Sequence, residues 1–259
     1  MPEYISKLFN LKGKVAVVIG GGGYLCSEMA RGLSKAGISV AILDKNFENA
    51  DKVSRQIKKG GGKSIAIEMD VVKKESHEQA LENILKTYRR VDVLINGAGI
   101  NVPTPFFDIT LQEWYAILET HMTGTFLACQ VFGKHMVSRK KGSIINMSSA
   151  SSGPPLSKAF TYSVAKAGIN NLTQNLAREW ATKGVRVNAL RPGFFPTAWS
   201  MKHFIDKKRE AAILGHTPMG RYGKPEELVG AVLWLSSDAA SFVTGAEICV
   251  DGGFTGMTI

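Results

Sequence analysis

Residues 15–26 read VAVVIGGGGYLC, and this stretch decides how the rest of the sequence is interpreted. Small and β-branched apolar residues come directly before four consecutive glycines, Gly20 to Gly23, which is typical of a buried strand that turns sharply into a helix. The dinucleotide-binding pattern G-x-G-x-x-G is not met in any register, because its third glycine falls on Leu25 or Cys26. Two interpretations stay open at this point: a flexible surface turn, or a phosphate-binding loop with an unusual lining.

Short apolar segments recur along the chain between longer stretches with helical spacing. Such an alternation predicts an α/β fold, doubly wound, with a parallel sheet of about seven strands covered by helices on both faces. The strands are predicted at 15–19, 40–43, 64–69, 91–95, 143–147, 185–190 and 246–250, and helices at 25–36, 75–88, 111–137, 162–182 and 225–236.

The domain organisation is predicted to be simple. No internal repeat or break in composition divides the chain, so residues 1–259 are expected to form a single domain. The interval after the sixth predicted strand has helix-capable stretches but no strand. Because ligands bind at the carboxyl ends of the strands in open α/β sheets, residues 194–220 are the candidate substrate lid.

The composition, 44% hydrophobic and 21% charged, is ordinary for a globular protein. No window reaches the roughly 20 apolar residues of a membrane span, and the N-terminus lacks the apolar core of a signal peptide, so we expect a cytoplasmic location and no membrane contact. The net charge of +10 fits solubility, attraction of an anionic substrate or nucleic-acid binding. The absence of a long basic stretch with interleaved aromatics disfavours nucleic acid.

The three cysteines, Cys26, Cys129 and Cys249, lie far apart in apolar or helical stretches. This placement predicts buried, reduced thiols, and it offers no spacing for a metal site.

Acidic and polar residues follow the later strands, where a dinucleotide would lie. About 20 residues after the glycine loop, Asp44 ends the second strand, where a carboxylate can accept hydrogen bonds from ribose hydroxyls. A carboxylate repels a 2′-phosphate, so NAD is favoured over NADP, although the neighbouring Lys45 weakens that choice. Asp70 and residues 96–99 hold equivalent positions after later strands and are candidates to contact the adenosine half.

A serine, a tyrosine and a lysine form the candidate catalytic set. Tyr162 and Lys166 are four residues apart, so on a helix they share one face, and Ser149 lies 13 residues before Tyr162, just past a predicted strand. A Tyr-x-x-x-Lys pair alone is most often a pair of neighbours on a helix surface. Combined with the serine and the glycine loop, it predicts a site.

With these pieces together, the sequence resembles the short-chain dehydrogenases/reductases over nearly its whole length. The family's motifs occur here in order: the glycine loop at 20–26, Asp44, Asp70-Val71, Asn96-Gly97-Ala98-Gly99, Ser149, Tyr162, Lys166, Pro192-Gly193 with Thr197, and VDGG at 250–253. The resemblance implies a single Rossmann domain, usually assembled as a homotetramer. It also implies hydride transfer between a nicotinamide cofactor and a secondary alcohol or ketone.

The resemblance also assigns roles. An adjacent ammonium favours the phenolate, so Lys166 is expected to lower the pKa of Tyr162 from its ordinary value of about 10 and to hold the nicotinamide ribose. Ser149 is expected to hydrogen-bond the substrate oxygen. The implied cofactor-binding residues are Gly20, Gly22, Gly23, Tyr24, Leu25, Asp44, Asp70, Val71, Asn96, Ala98, Gly99, Tyr162, Lys166, Pro192, Gly193, Phe195 and Thr197.

Two departures from the family pattern concern the site. Tyr24 and Cys26 stand where the usual loop has its second and third glycines. His121 stands where the family generally has an asparagine that holds a water in the proton relay. Because histidine can donate, accept and titrate near neutrality, His121 is a candidate catalytic residue, or else a satisfied core histidine.

The substrate expectation rests on the C-terminal region and the glycine loop, which are similar to the sugar-acid branch of the family, the mannonate oxidoreductase or fructuronate reductase type, with gluconate dehydrogenases close by. A carboxylate would need a basic residue near the lid, and the candidates are Lys158, Lys202, His203 and Arg221. Phe194, Phe195 and Trp199 would instead suit a flatter, less polar ligand. A 3-oxoacyl carrier-protein reductase is therefore the main alternative.

A non-catalytic dinucleotide-sensing scaffold is a further alternative, which the intact Ser149, Tyr162 and Lys166 disfavour. The predicted helices at 111–137 and 162–182 carry apolar residues on more than one face, which fits burial against another subunit.

Overall fold

The computed structural model describes residues 3–257, except for the side chains of residues 198 and 199. All seven strands form one parallel sheet in the order β3-β2-β1-β4-β5-β6-β7, which confirms the predicted doubly wound fold. The strands are β1 (Val15–Ile19), β2 (Ser39–Asp44), β3 (Ser64–Glu68), β4 (Val93–Asn96), β5 (Gly142–Met147), β6 (Val185–Pro192) and β7 (Glu247–Val250).

The α-helices of this part of the chain are α1 (Glu3–Leu8), α2 (Tyr24–Lys35), α3 (Phe47–Lys59), α4 (Lys74–Tyr88), α5 (Leu111–Leu118), α6 (Gly124–Ser138), α7 (Phe160–Trp180), α8 (Ala198–His203), α9 (Lys207–Gly215) and α10 (Val229–Ser236). Helix α3 is not among the helices predicted from apolar spacing. Its start is nevertheless well defined, since the Asn46 side chain accepts a hydrogen bond from the Asn49 N–H at 3.0 Å. No helix formed by residues 3–257 has the length and apolar character needed to cross a membrane.

Two apolar layers hold the helices on the sheet. Successive strand side chains point to opposite faces. Ala16 and Val18 pack into the layer with α2 and α10, whereas Val15, Val17 and Ile19 pack into the layer with α4 and α6. Every residue of β1 is buried, as expected for a central parallel strand.

The order of the strands reverses direction between β1 and β4, and the turns after these two strands touch. Gly20 has a positive φ of 70°, and a Cβ on it would lie 2.7 Å from the Ala98 backbone nitrogen. Only glycine allows that approach without strain. Ligands bind at such a switch point in doubly wound sheets, so the fold predicts a ligand site at the carboxyl ends of β1 and β4.

The structure corrects two expectations. The predicted helix at 111–137 is not continuous, because a π-helical turn, Glu119–Thr123, separates α5 from α6. The prediction that all three thiols are buried is wrong for Cys249, which is exposed. Cys249 lies on β7, the edge strand, which pairs only with β6 and is less covered than the central strands.

Candidate active site

A cavity of about 480 Å³ opens at the carboxyl ends of the central strands. The glycine loop borders this cavity. One wall comes from the turns after β4 and β5 and the first turns of α7, and a second wall, here called the lid wall, comes from residues 156–159 and from the segment between Pro192 and Arg209. Ser149, Tyr162, Lys166 and His121 all line this one cavity, so the fold brings the four predicted catalytic residues together.

Lys166 lies on α7 and is almost completely buried, with 4% of its surface exposed. Its ammonium donates a hydrogen bond of 2.6 Å to the Met147 carbonyl oxygen at the end of β5 and lies 5.4 Å from the centre of the Tyr162 ring. Burial lowers the pKa of Lys166 to about 8. The lysine is therefore fixed between the sheet and the tyrosine, with two further N–H groups to donate.

Tyr162 is half-buried one turn before Lys166. Burial raises the pKa of its phenol above the ordinary value, and a hydrogen bond with Ser149 opposes that rise. The expectation that Lys166 lowers this pKa is wrong for the protein alone, because burial raises the pKa and the opposing group is Ser149 rather than Lys166. Tyr162 is a protonated phenol beside a serine hydroxyl, ready to give a proton to a bound oxygen.

His121 reaches the cavity because it lies in the π-helical turn between α5 and α6. Such single turns occur often at functional sites. Its Nε2 lies 2.8 Å from the Ile100 carbonyl oxygen and 3.1 Å from the Ile100 nitrogen, so either tautomer finds a partner there. Its ring meets the Tyr162 ring edge to face, with centroids 5.2 Å apart.

The expectation that His121 titrates near neutrality is wrong. Only 1% of the residue is exposed, and burial together with the charge of Lys166 lowers its pKa to about 3. Its Nδ1 is buried with no hydrogen-bond partner among the described residues. His121 is therefore a neutral ring that packs against Tyr162 and can direct hydrogen bonds, but it does not carry a proton as a cation at ordinary pH.

Two sets of hydrogen bonds between buried amides and hydroxyls hold α7 against the sheet and against the turn after β5. Asn96, at the end of β4, donates to Asn146 of β5 at 2.8 Å, and Asn146 donates to Thr173 of α7 at 2.9 Å. Asn170 of α7 donates to Ser152 at 3.0 Å, and Ser152 donates to the Ser149 carbonyl oxygen at 2.8 Å. These bonds set the position of the helix that carries Tyr162 and Lys166.

The unusual glycine loop is accommodated by its neighbours. Cys26 stands where the usual loop has its third glycine, and its thiol occupies the space that a side chain at Gly97 would need. Gly97, in the turn after β4, therefore leaves room for the larger residue in the loop. Burial raises the pKa of Cys26 to about 12, which makes it an inert packing group. The backbone of the loop stays open to the cavity at Gly20 and Gly23, as a pyrophosphate-binding turn requires.

Asp44 is tied to this loop. Its carboxylate accepts a hydrogen bond of 3.0 Å from the Gly22 N–H, and a Cβ on Gly22 would lie 2.9 Å from the same oxygen. Lys45 turns away and pairs with Asp70 at 3.2 Å. The loop and the acidic residue after β2 therefore form one unit, and the residues present fit a dinucleotide.

The predicted cofactor residues fall into two groups. Those that line the main cavity are Gly20, Gly23, Tyr24, Leu25, Gly99, Tyr162, Lys166, Pro192, Gly193, Phe195 and Thr197. Those that do not are Gly22, Asp44, Asp70, Val71, Asn96 and Ala98. The amide nitrogen of Asn96 is used inside the protein, in the hydrogen bonds that hold α7, and the other five lie around the loop and the turns after β3 and β4.

Of the basic residues proposed for a carboxylate, the cavity includes Lys158 alone. Lys202 and His203 do not line it, and Arg221 makes a two-bond ion pair with Glu227 instead, at 2.9 and 2.7 Å. Sequence reasoning missed Arg209 and Asn101, which do line the cavity. No local pattern marks them, because the folding of the lid and of the turn after β4 brings them there.

The aromatic residues of the candidate lid, residues 194–220, give less support to a flat ligand than expected. Phe194 packs edge to face on Phe254, with centroids 5.1 Å apart. Phe195 packs into the apolar layer and fills the space beside Gly223. Both border the cavity, but their rings are largely used in packing. The side chain of Trp199 lies outside the described residues, so its predicted role stays untested.

Comparison with known proteins agrees with this geometry. A family model described as "Enoyl-(Acyl carrier protein) reductase" matches residues 25–255. The "Uncharacterized oxidoreductase UxuB" of Bacillus subtilis strain 168 is 43% identical over 266 residues, covering 95% of this chain and 96% of that protein.

Two crystal structures are similar throughout. One, from Haemophilus influenza with bound NAD and provisionally named D-mannonate oxidoreductase, is 36% identical with a TM-score of 0.91, covering 98% of this chain and 99% of that one. The other, a gluconate 5-dehydrogenase from Burkholderia cenocepacia J2315 in complex with NADP and tartrate, is 30% identical with a TM-score of 0.93, covering 98% and 100%. The chain therefore belongs to the short-chain dehydrogenase/reductase family, and it is an oxidoreductase that acts on a CH–OH group with a nicotinamide cofactor.

Proposed function

We propose that the substrate is a sugar acid or a related polyol and that NAD is the preferred cofactor. The observation that carries the substrate class is that Lys158, Arg209 and Asn101 border the cavity of the catalytic residues, within a lining that is otherwise largely apolar. The Asn101 amide oxygen is buried with no partner among the described residues. A ligand with several hydroxyls and an anionic end supplies the partners that such groups need.

Ser149, Tyr162 and Lys166 have separate roles in the proposed reaction. When bound, the nicotinamide cofactor takes up or delivers the hydride. Ser149 donates a hydrogen bond to the reacting oxygen, which stabilises the charge that develops there. Tyr162 exchanges the proton with that oxygen, acting as an acid in reduction and as a base in oxidation. Lys166, which donates one of its N–H groups to Met147, would hold the cofactor's ribose with the other two.

The cofactor preference rests on the charges after β2. A 2′-phosphate near Gly22 would meet the carboxylate of Asp44. Lys45, which could have offset that repulsion, is paired with Asp70. Of the two similar crystal structures described above, one has bound NAD and the other is in complex with NADP. Similarity to these proteins therefore does not decide between NAD and NADP, and the preference has to be inferred from the residues of this chain.

A substrate panel tests the function directly. We expect oxidation of six-carbon aldonates or hexitols with NAD, and reduction of the matching keto-aldonates with NADH, followed by absorbance of the reduced cofactor. The family model's description keeps a carrier-protein substrate as the second candidate. Turnover confined to 3-oxoacyl thioesters would favour that candidate, and no turnover on any substrate despite tight NADH binding would contradict both.

We also infer that the chain forms a homotetramer through α5, α6 and α7. Leu111, Tyr115, Phe126, Phe160 and Val164 are exposed on these helices, and isolated chains seldom leave so many large apolar groups together in water. Tyr115→Glu is expected to yield smaller species in light scattering. The matched variant Tyr4→Glu changes an exposed tyrosine on α1 and should leave the assembly unchanged; equal masses for all three proteins would refute the surface. The cytoplasmic location stays a prediction of the sequence.

A further inference from the structure

Two cationic side chains from separate segments meet at the lid wall of the cavity. Lys158 belongs to the loop between Ser149 and α7, and Arg209 belongs to the first turn of α9 in the lid. Both line the same cavity as Ser149 and Tyr162, so a molecule bound there is within reach of the cations and of the catalytic residues.

Arg209 has no acidic partner in this part of the chain. Its terminal nitrogens donate to the Ser157 hydroxyl at 2.6 Å and to the Ser157 carbonyl oxygen at 2.8 Å, and none of the ion pairs among the described residues includes it. Its Nε is buried without a partner. A guanidinium with neutral acceptors and an unused donor retains the capacity to bind an anion.

Lys158 is held loosely. Its ammonium lies 3.6 Å from the Asp206 carboxylate and 3.5 Å from the Phe204 carbonyl oxygen, both long for charge-assisted contacts. Asp206 already accepts the backbone N–H of Arg209 at 2.8 Å as the cap of α9, so its carboxylate is partly used within the helix.

We propose that Arg209, assisted by Lys158, forms a carboxylate subsite that holds the anionic end of the substrate while its hydroxyl lies at Ser149 and Tyr162. This inference rests on the proposed function and names the residues that select acids over neutral polyols. An arginine binds a carboxylate in a two-bond, planar geometry, and the lysine adds charge. Because Arg209 is in the lid, the bound acid also ties the lid to the loop that follows Ser149.

The test compares an aldonate with the neutral hexitol of the same length. Arg209→Gln removes the charge and keeps a polar side chain, and it should lower kcat/KM for the aldonate by about tenfold to hundredfold. Any loss for the hexitol should be at least about tenfold smaller, because the hexitol has no carboxylate. Lys158→Gln should show the same selectivity with a smaller loss, and Lys202→Gln, on the neighbouring helix but outside the cavity, should show none.

Binding measurements separate this inference from the proposed function. Calorimetric titration of aldonate into enzyme saturated with NADH should give a dissociation constant that rises in Arg209→Gln, whether or not the native enzyme turns the acid over. Equal losses for aldonate and hexitol would make Arg209 a structural anchor of the lid and overturn the subsite. Unchanged aldonate binding in Arg209→Gln would overturn it as well. A native enzyme that oxidises neither compound, yet binds aldonate through Arg209, would contradict the proposed function alone.

Discussion

The two walls of the cavity are built very differently. The wall made by the turn after β5 and by α7 holds Tyr162 and Lys166 through buried hydrogen bonds to the sheet. The lid wall holds Lys158 and Arg209 through exposed segments, with long or neutral contacts. Groups that are buried and hydrogen-bonded to the sheet are fixed before the substrate arrives, whereas the contacts of Lys158 and Arg209 leave N–H donors for a ligand. The difference fits the proposal that the first wall performs the chemistry and the second selects the substrate.

Removing the phenol should have the largest effect. In Tyr162→Phe we expect kcat to fall by about 10³-fold, because proton transfer to the reacting oxygen loses its acid and base. NADH affinity, measured by fluorescence titration, should stay within about twofold, since the ring and Lys166 remain. The matched variant Tyr88→Phe changes a half-buried tyrosine at the end of α4, outside the cavity, and should keep native turnover.

Filling the space beside His121 should have the next largest effect. A Cβ on Gly99 would overlap the His121 ring, so Gly99→Ala should cost about 1–3 kcal/mol of stability and displace the ring that packs on Tyr162. We expect a lower free energy of unfolding in urea and a drop in kcat. Gly230→Ala, in α10 with no neighbour within 4 Å of the new Cβ, is the control and should not be destabilised. Native kcat in Gly99→Ala would show that the position of His121 has no part in catalysis.

The pH dependence of stability should report the burial of His121. Its pKa falls from 6.5 to about 3 on folding, so between these values the unfolded chain binds the extra proton. The native protein should therefore lose about 1.4 kcal/mol of stability per pH unit at this residue as the pH falls below 6.5. In His121→Asn that loss should vanish, so the difference between the two unfolding free energies should change with pH. A constant difference from pH 7 to pH 4.5 would mean that His121 ionises freely in the folded protein.

Neutralising Asp44 should have the smallest effect. Asp44→Asn keeps an oxygen for the Gly22 N–H but removes the charge that a 2′-phosphate would meet. We expect the ratio of the NADPH and NADH dissociation constants to fall by about fivefold to tenfold. A native enzyme that already prefers NADPH would show that the Asp44 carboxylate does not determine the preference between NADH and NADPH.

The sequence alone was sufficient to predict features that depend on neighbouring residues along the chain. It was not sufficient to predict features that depend on how the elements pack. Strand ends were predicted to within two residues because apolar runs end at glycine, aspartate or asparagine. The pairing of Tyr162 with Lys166 follows from helix geometry alone. The π-helical turn at His121 does not, since a helix with one extra residue has nearly the same apolar pattern. The place of Arg209 follows only from the docking of α9 on Ser157.

One measurement tests the division of work between the two walls most directly: kcat/KM for an aldonate divided by kcat/KM for the hexitol of equal length, in the native enzyme, Tyr162→Phe and Arg209→Gln. This division of work predicts that Tyr162→Phe lowers both values by the same factor, which leaves the ratio within about twofold of native, while Arg209→Gln lowers the ratio by about tenfold or more. A Tyr162→Phe enzyme with native turnover, or a changed ratio in that variant, would contradict it.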